Sequence, residues 1–232
     1  MKVIPALLLV ASLGTWLAGQ PLMAQVAPNA TEISQYTGLL AAAHHGDLPR
    51  LQSLAIAPVA TLEARDGRGR TAMHIATFAR QRAAIRMLAK AGAKLELLDN
   101  DRYDPVTIAA VANDPETLMT LLALGASAKL VTSVYDGTAL IAAAHLGHAE
   151  VVRLLIAAGA PLDHVNNLHW TAVIESIVLG NGGPAHQQTL SALLSAGANT
   201  QLTDRNGATP LQLARSRGFR EMLALLEKAG AR

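Results

Sequence analysis

Thr138-Ala-Leu-Ile-Ala-Ala-Ala-His-Leu-Gly147-His-Ala-Glu-Val-Val-Arg-Leu-Leu-Ile-Ala-Ala-Gly159-Ala160 is the stretch whose reading decides the fold. Thr opens it because its side-chain oxygen can accept an orphan N–H at a helix start. A short Ala-rich helix follows. After Gly147, apolar residues return at helical spacing, as Val151, Val152, Leu154 and Leu155. Gly159 then ends the second helix, because a left-handed residue is least strained without a Cβ. The opening phrase returns as Thr37-Gly-Leu-Leu-Ala-Ala42, Thr71-Ala-Met-His-Ile-Ala76, Asp104-Pro-Val-Thr-Ile-Ala109, Thr171-Ala-Val-Ile-Glu-Ser176 and Thr209-Pro-Leu-Gln-Leu-Ala214. Successive copies are 34, 33, 34, 33 and 38 residues apart. Pro105 and Pro210 sit at the first helical position, where a missing N–H costs nothing. One such unit cannot bury its apolar face alone, and stacking six gives one continuous core.

The phrase resembles the ankyrin repeat, whose pattern is T-P-L-H-x-A followed by G-H and an apolar V-x-x-L-L run. The resemblance covers about residues 31–232. It implies an all-α solenoid of about six helix-turn-helix repeats, near 37–70, 71–103, 104–137, 138–170, 171–208 and 209–232. Departures are local. Pro58 stands where other copies have the terminal Gly, so the second helix of copy one should end irregularly. Arg102, Asp136 and His169 replace the turn glycine seen at Gly69 and Gly207. The five-residue insertion of copy five falls around Gly180–Gln188 and reads as a loop between its helices.

Residues 1–24 stand outside the array. A Lys2 start, an apolar Val3–Leu17 run and Leu22-Met23-Ala24 before Gln25 read as a signal peptide, with 25–232 as the exported domain. The alternative is an uncleaved membrane anchor, against which stand the run's length, near the lower limit for spanning, and its Pro5 and Gly14; after cleavage no stable membrane insertion is expected. The periplasm is the expected compartment. The chain has 0 cysteines, hence no disulfide and no lipidated N-terminal Cys. Its 19 Lys and Arg against 17 Asp and Glu give +2, which does not point to nucleic acid. Arg65, Arg68, Arg70, Arg80, Arg82 and Arg86 form a local basic stretch, read as a solvated face with an acidic partner patch as the alternative.

The resemblance implies a partner-binding concave side, made by residues four, three and one before the leading Thr and seven and eight after it. Tyr36, Arg70, Tyr103 and Trp170 fall one before a repeat start, Tyr135 three before, and Phe78 seven after. Five of the six aromatic residues beyond the signal segment therefore occupy these positions. Uniform placement would put roughly one there. His44, His45, Val111, His145, Leu146, Val178 and Leu179 complete the set, and Glu175 faces the same side from the first helix of copy five. Tyr and Trp give rigid contact area at low entropic cost. An apolar, aromatic groove for a protein partner is the expected function, with no enzymatic activity, no cofactor and a monomeric state. The alternative is a small-ligand-binding or enzyme-accessory protein, with the Gly180–Pro184 insertion as a lid beside Trp170 and Glu175.

Other chemistry fits poorly. His145 and His148 lie in copy four, too far from His44 and His45 in copy one to share a metal ion. His74 fills the T-P-L-H slot and should bond the adjoining turn. Asp99-Asn-Asp101-Arg-Tyr-Asp104 has calcium-loop spacing but lacks the Gly and the terminal Glu. Gly180-Asn-Gly-Gly183 lacks the Lys-Ser or Lys-Thr of a phosphate loop.

Overall fold

The computed structural model describes residues 25–56 and 59–232. The expected signal segment 1–24 and the irregular helix end at Pro58 lie outside the described residues. Copy one contains α1 (Ala30–Gln35) as a lead-in, then α2 (Gly38–His45), α3 (Leu48–Leu54) and α4 (Val59–Leu62). The following copies are α5 (Ala72–Phe78) with α6 (Arg82–Lys90), and α7 (Pro105–Val111) with α8 (Pro115–Ala123). A short antiparallel hairpin, β1 (Val131–Thr132) and β2 (Gly137–Thr138), leads into α9 (Ala139–Leu146) and α10 (Ala149–Ala157). Then come α11 (Ala172–Val178) with α12 (Pro184–Ser195), and α13 (Pro210–Ser216) with α14 (Arg220–Lys228).

The helices form two rows. α2, α5, α7, α9, α11 and α13 pack in succession as one row, and α3, α6, α8, α10, α12 and α14 as the other. The layer between them is a single cluster of buried apolar side chains running from Leu39 to Ala231. Alanines such as Ala76, Ala110 and Ala143 are fully buried in the first row, where small side chains let helices approach closely. Larger residues fill the second row, among them Leu51, Leu88, Leu121, Leu155 and Leu193, each 0% exposed.

The expected caps are present. Asp104 accepts from the Val106 and Thr107 amides, both at 3.1 Å, and Thr138, Thr171 and Thr209 each accept from the amide three residues on. Each such cap contributes about 1 kcal/mol. Thr37 makes no capping bond through its side chain. His74 does what its slot predicts: its Nδ1 accepts from the Thr71 amide at 3.1 Å, and its Nε2 lies 3.1 Å from the Tyr103 carbonyl of the next copy. Nε2 therefore carries the proton. Burial holds the ring neutral, with its pKa lowered to about 4.

One local expectation is corrected. The copy-five insertion is only partly loop. α12 begins at Pro184, so Pro184–Gln188 are helical, and Leu179–Gly183 make the connection. Pro at the first helical position and a free Gly before it favour that extra turn. Arg102, Asp136 and His169 keep the turn shape of the glycines they replace, with φ of 64, 53 and 64°. For a side chain bearing a Cβ this costs about 1 kcal/mol or more. His169 is exposed and its ring makes no hydrogen bond within these turns. His169→Gly is therefore expected to stabilise the chain by ~0.5–1 kcal/mol, read as a raised denaturant midpoint. An unchanged or lowered midpoint would show that the turn is not strained.

Candidate functional site

Each turn tip is built on one polar side chain five residues before the helix cap. Asp66 Oδ1 accepts from the Arg68 and Arg70 amides, Asp99 Oδ1 from Asp101 and Tyr103, and Asp204 Oδ1 from Asn206 and Ala208, at 2.8–3.0 Å. Asn166 does the same for Leu168 and Trp170. Such turns close because a short carboxylate or amide can reach its own backbone. Successive tips are linked by main-chain bonds: Asn100 N–H to the Arg68 carbonyl at 2.9 Å, Ser133 to Arg102 at 2.8 Å, and Asn167 to Tyr135 at 3.0 Å. Asp99 and Asp104, the calcium-like pair, are thus a turn residue and a helix cap. Among the described residues no group of His, Cys, Asp and Glu could hold a metal ion.

Copy five departs from this plan. The fourth residue after the cap is Ala41, Ile75, Ile108, Ala142 or Leu213 in the other copies, and Glu175 here. Asn166 Nδ2 donates to Glu175 Oε1 at 3.0 Å. An Asp at the tip, as in copies two, three and six, would instead repel the carboxylate. Glu175 Oε2 has no hydrogen-bond partner and is fully covered. His145 Nδ1 of the preceding copy lies 3.5 Å away, within ion-pair range but not aligned for a hydrogen bond. Burial pushes the Glu175 carboxyl up to about 7, and the Asn166 bond opposes this only in part. Burial also lowers His145, helped by His186 and His148. Both shifts favour a neutral acid beside a neutral imidazole over a salt bridge.

The predicted partner-binding residues divide into three groups. Arg70, Tyr103 and Glu175 are buried, at 1, 8 and 3% exposure, so the expectation that they line an open groove is corrected. Arg70 is held by Asp66 at 2.7 Å and Glu32 at 3.1 Å, and its Nη1 donates to the Val26 carbonyl at 3.1 Å. Tyr103 lies inside its tip, and burial pushes its hydroxyl up to about 12. Tyr36, His44, Phe78, Val111, Tyr135, His145, Trp170 and Val178 are half-buried. The Tyr36 hydroxyl donates to Asp66 at 2.9 Å, so it serves the N-terminal segment. Burial lowers His44, with His45 adding to the effect. His45, Leu146 and Leu179 are exposed.

The rings therefore do not form the surface by themselves. The exposed large apolar side chains from the tip that leads into copy four to the end of α11 are Val131, Val134, Leu146, Val165 and Leu179, all aliphatic. Val131, Val134 and Val165 lie on the tips that also carry the half-buried Tyr135 and Trp170, and Leu146 and Leu179 at the ends of α9 and α11. Asn166 and Glu175 join tip to first helix there. The basic stretch is largely spent internally. Arg68 meets Glu32 at 2.8 Å, Arg80 meets Asp114 at 3.4 Å, Arg82 meets Glu116 at 2.9 Å, and Arg65 donates to two carbonyls.

The lid alternative fits the structure poorly. Asn181 Oδ1 accepts from the Gly183 amide at 2.9 Å and lies 3.1 Å from His186 Nδ1. His186 Nε2 lies 2.9 Å from the His145 carbonyl. A Cβ on Gly182 would sit 2.5 Å from the Phe219 ring, so the segment is packed down rather than poised over a cleft. A groove of about 880 Å³ lies along α10, α12 and α14, lined by Ile156, Gln188, Ala192 and Leu225, and not by Trp170 or Glu175.

Comparison with known proteins agrees with this architecture. The profile for ankyrin repeats (3 copies) matches residues 39–132 and 106–204. The chain is 34% identical over 193 residues to YahD, an ankyrin repeat protein of Escherichia coli, covering 83% of this chain and 95% of that one. Among solved structures it resembles an ankyrin repeat domain from Acinetobacter baumannii, with 45% identity, a TM-score of 0.78, and coverage of 84 and 98% of the two chains. It also resembles the ankyrin repeat domain of Bcl-3, described as a member of the IkappaB family, with 26% identity, a TM-score of 0.76, and coverage of 85 and 88%. The chain belongs to the ankyrin-repeat family. Ankyrin arrays are generally protein–protein interaction modules and are typically non-enzymatic. Among the described residues no helix is long and apolar enough to cross a membrane.

Proposed function

We propose that the chain is a protein-interaction module exported to the periplasm, which docks a protein partner on the tips and first-helix ends of copies four and five. The observation that carries this is the exposure of five aliphatic side chains, Val131, Val134, Leu146, Val165 and Leu179, all on tips or first-helix ends of neighbouring repeats. Aliphatic groups left in water beside partly covered rings are what an interface core would cover. The apolar leader of residues 1–24 supports export.

The test compares capture from a periplasmic extract by the wild-type chain and by Tyr135→Ala/Trp170→Ala. Truncating an interface anchor costs about 2 kcal/mol or more, about 30-fold in affinity, so losing both should weaken capture of specific partners by several hundred-fold if the two add. Equal capture by a double variant with unchanged circular dichroism would overturn the surface assignment. N-terminal sequencing of the mature chain should begin at Gln25. Recovery of the chain with Met1 intact would overturn cleavage.

A further inference from the structure

Buried polar groups without partners are rare in folded proteins, and Glu175 Oε2 is one. It cannot be explained as a repeat feature. The same position is apolar in the other five copies. Nor is it a chance substitution left without support. The tip residue that faces it is Asn166 where copies two, three and six have Asp66, Asp99 and Asp204. Asn166 keeps the turn through Oδ1 and commits Nδ2 to Glu175 Oε1. A tip amide and a first-helix carboxyl are thus paired here, in a layer where the other copies place carbon. The second oxygen is left open, and the cover over it is thin. His145 stands 3.5 Å away with 27% of its side chain exposed, while Glu175 is 3% exposed. Leu146, 40% exposed, follows His145 in the chain, and Leu179, 36% exposed, comes one helical turn after Glu175.

We propose that Glu175, beneath His145 and between Leu146 and Leu179, receives a cationic side chain (Lys or Arg) from the bound protein. The inference rests on the docking surface described above and names part of the partner's chemistry. An ionised carboxylate with one neutral donor is poorly compensated in an apolar layer, and a guanidinium or ammonium supplies what is missing. The His145 ring, which is 3.5 Å from Oε2 and 27% exposed, has to turn aside when the cation enters. The flanking leucines then cover the aliphatic stem of the incoming side chain, as they would for any Lys or Arg that buries its methylenes. The partner segment is accordingly a basic residue set among apolar ones.

The probes are n-butylguanidinium and its neutral analogue n-butylurea, titrated at pH 8 while the amide and methyl resonances of Leu146 and Leu179 are followed by NMR. Butylguanidinium should shift them saturably and bind the wild-type chain about tenfold or more tighter than Glu175→Gln, the worth of one charge-assisted hydrogen bond. Butylurea should bind both chains equally and weakly. At pH 5.5, with the carboxyl protonated, the wild type should fall to the level of Glu175→Gln. His145→Ala, which uncovers Oε2, should bind butylguanidinium at least as tightly as the wild type. Equal binding of the two probes to the wild type, equal butylguanidinium binding by Glu175→Gln, or no shift at either leucine overturns the proposal. The docking surface is judged separately by the Tyr135/Trp170 capture. Partner capture lost in that variant but undiminished in Glu175→Gln would remove the cation site and leave the surface.

Discussion

Glu175→Gln is expected to stabilise the chain by about 3 kcal/mol at pH 8 and by almost nothing at pH 4.5. The cause is the buried carboxyl, raised from the usual 4.5 to about 7 in the folded state. Between those pH values the native chain keeps a proton that the unfolded chain has released. Stability from this group is therefore complete below pH 4.5 and is lost as pH rises through about 7. Above that, the folded state carries an ionised group with one neutral donor. Glutamine keeps the Oε1 acceptor for Asn166 and never ionises, and its amide can donate toward His145 Nδ1. The difference between the two chains, taken from urea unfolding at a series of pH values, isolates this group from the histidines. His74 and His145 act in the opposite sense: their lowered pKa values contribute stability that is lost as pH falls below 6.5. A difference that does not grow between pH 5 and 8 would mean that the carboxyl is already compensated inside the fold.

Arg70→Ala is the second large effect. Arg70 is among the largest fully buried side chains, and it joins Asp66, Glu32 and the Val26 carbonyl. Removing one partner of a buried ion pair costs about 3–5 kcal/mol, and the lower end is expected here, because Glu32 keeps Arg68 while Asp66 loses its charged partner and keeps only neutral donors. The loss should be local, since each repeat leans only on its neighbours. α1 has no buried residue of its own and is tied down by Glu32 to Arg68 and Arg70. Hydrogen exchange should therefore show residues 26–36 and the first tip losing protection, with copies four to six unchanged. Protection retained in residues 26–36 would show that the N-terminal segment is held by something other than Arg70.

The repeat frame, the helix caps and the inter-tip role of His74 were legible in the sequence, because each follows from a side chain acting on backbone within a few residues or at one fixed period. The surface was less so. Tyr103 and Trp170 hold the same repeat position, yet one is buried and the other half-buried. Position in a repeat fixes where the Cα lies, while the neighbouring tip decides how much of the ring it covers. Arg70 was misplaced for a related reason: its partners Glu32 and Val26 belong to a segment before the first repeat, which the period does not describe. A signal for that segment was present. Asn29-Ala-Thr-Glu32 is a capping box, and both of its bonds form, at 2.8 and 3.0 Å. The insertion of copy five was found from the broken period, but its packing was not. Whether Gly182 meets open water or the Phe219 ring depends on the following repeat.

Site-specific photo-cross-linking in the periplasm tests the central claim most directly. A benzophenone side chain placed at Val134, on the tip of copy four, should form a discrete covalent adduct with the partner. The same group at Arg153, exposed on the outer row of helices, should form none. Adducts from Arg153 and not from Val134 would place recognition on the opposite side of the array and contradict the account.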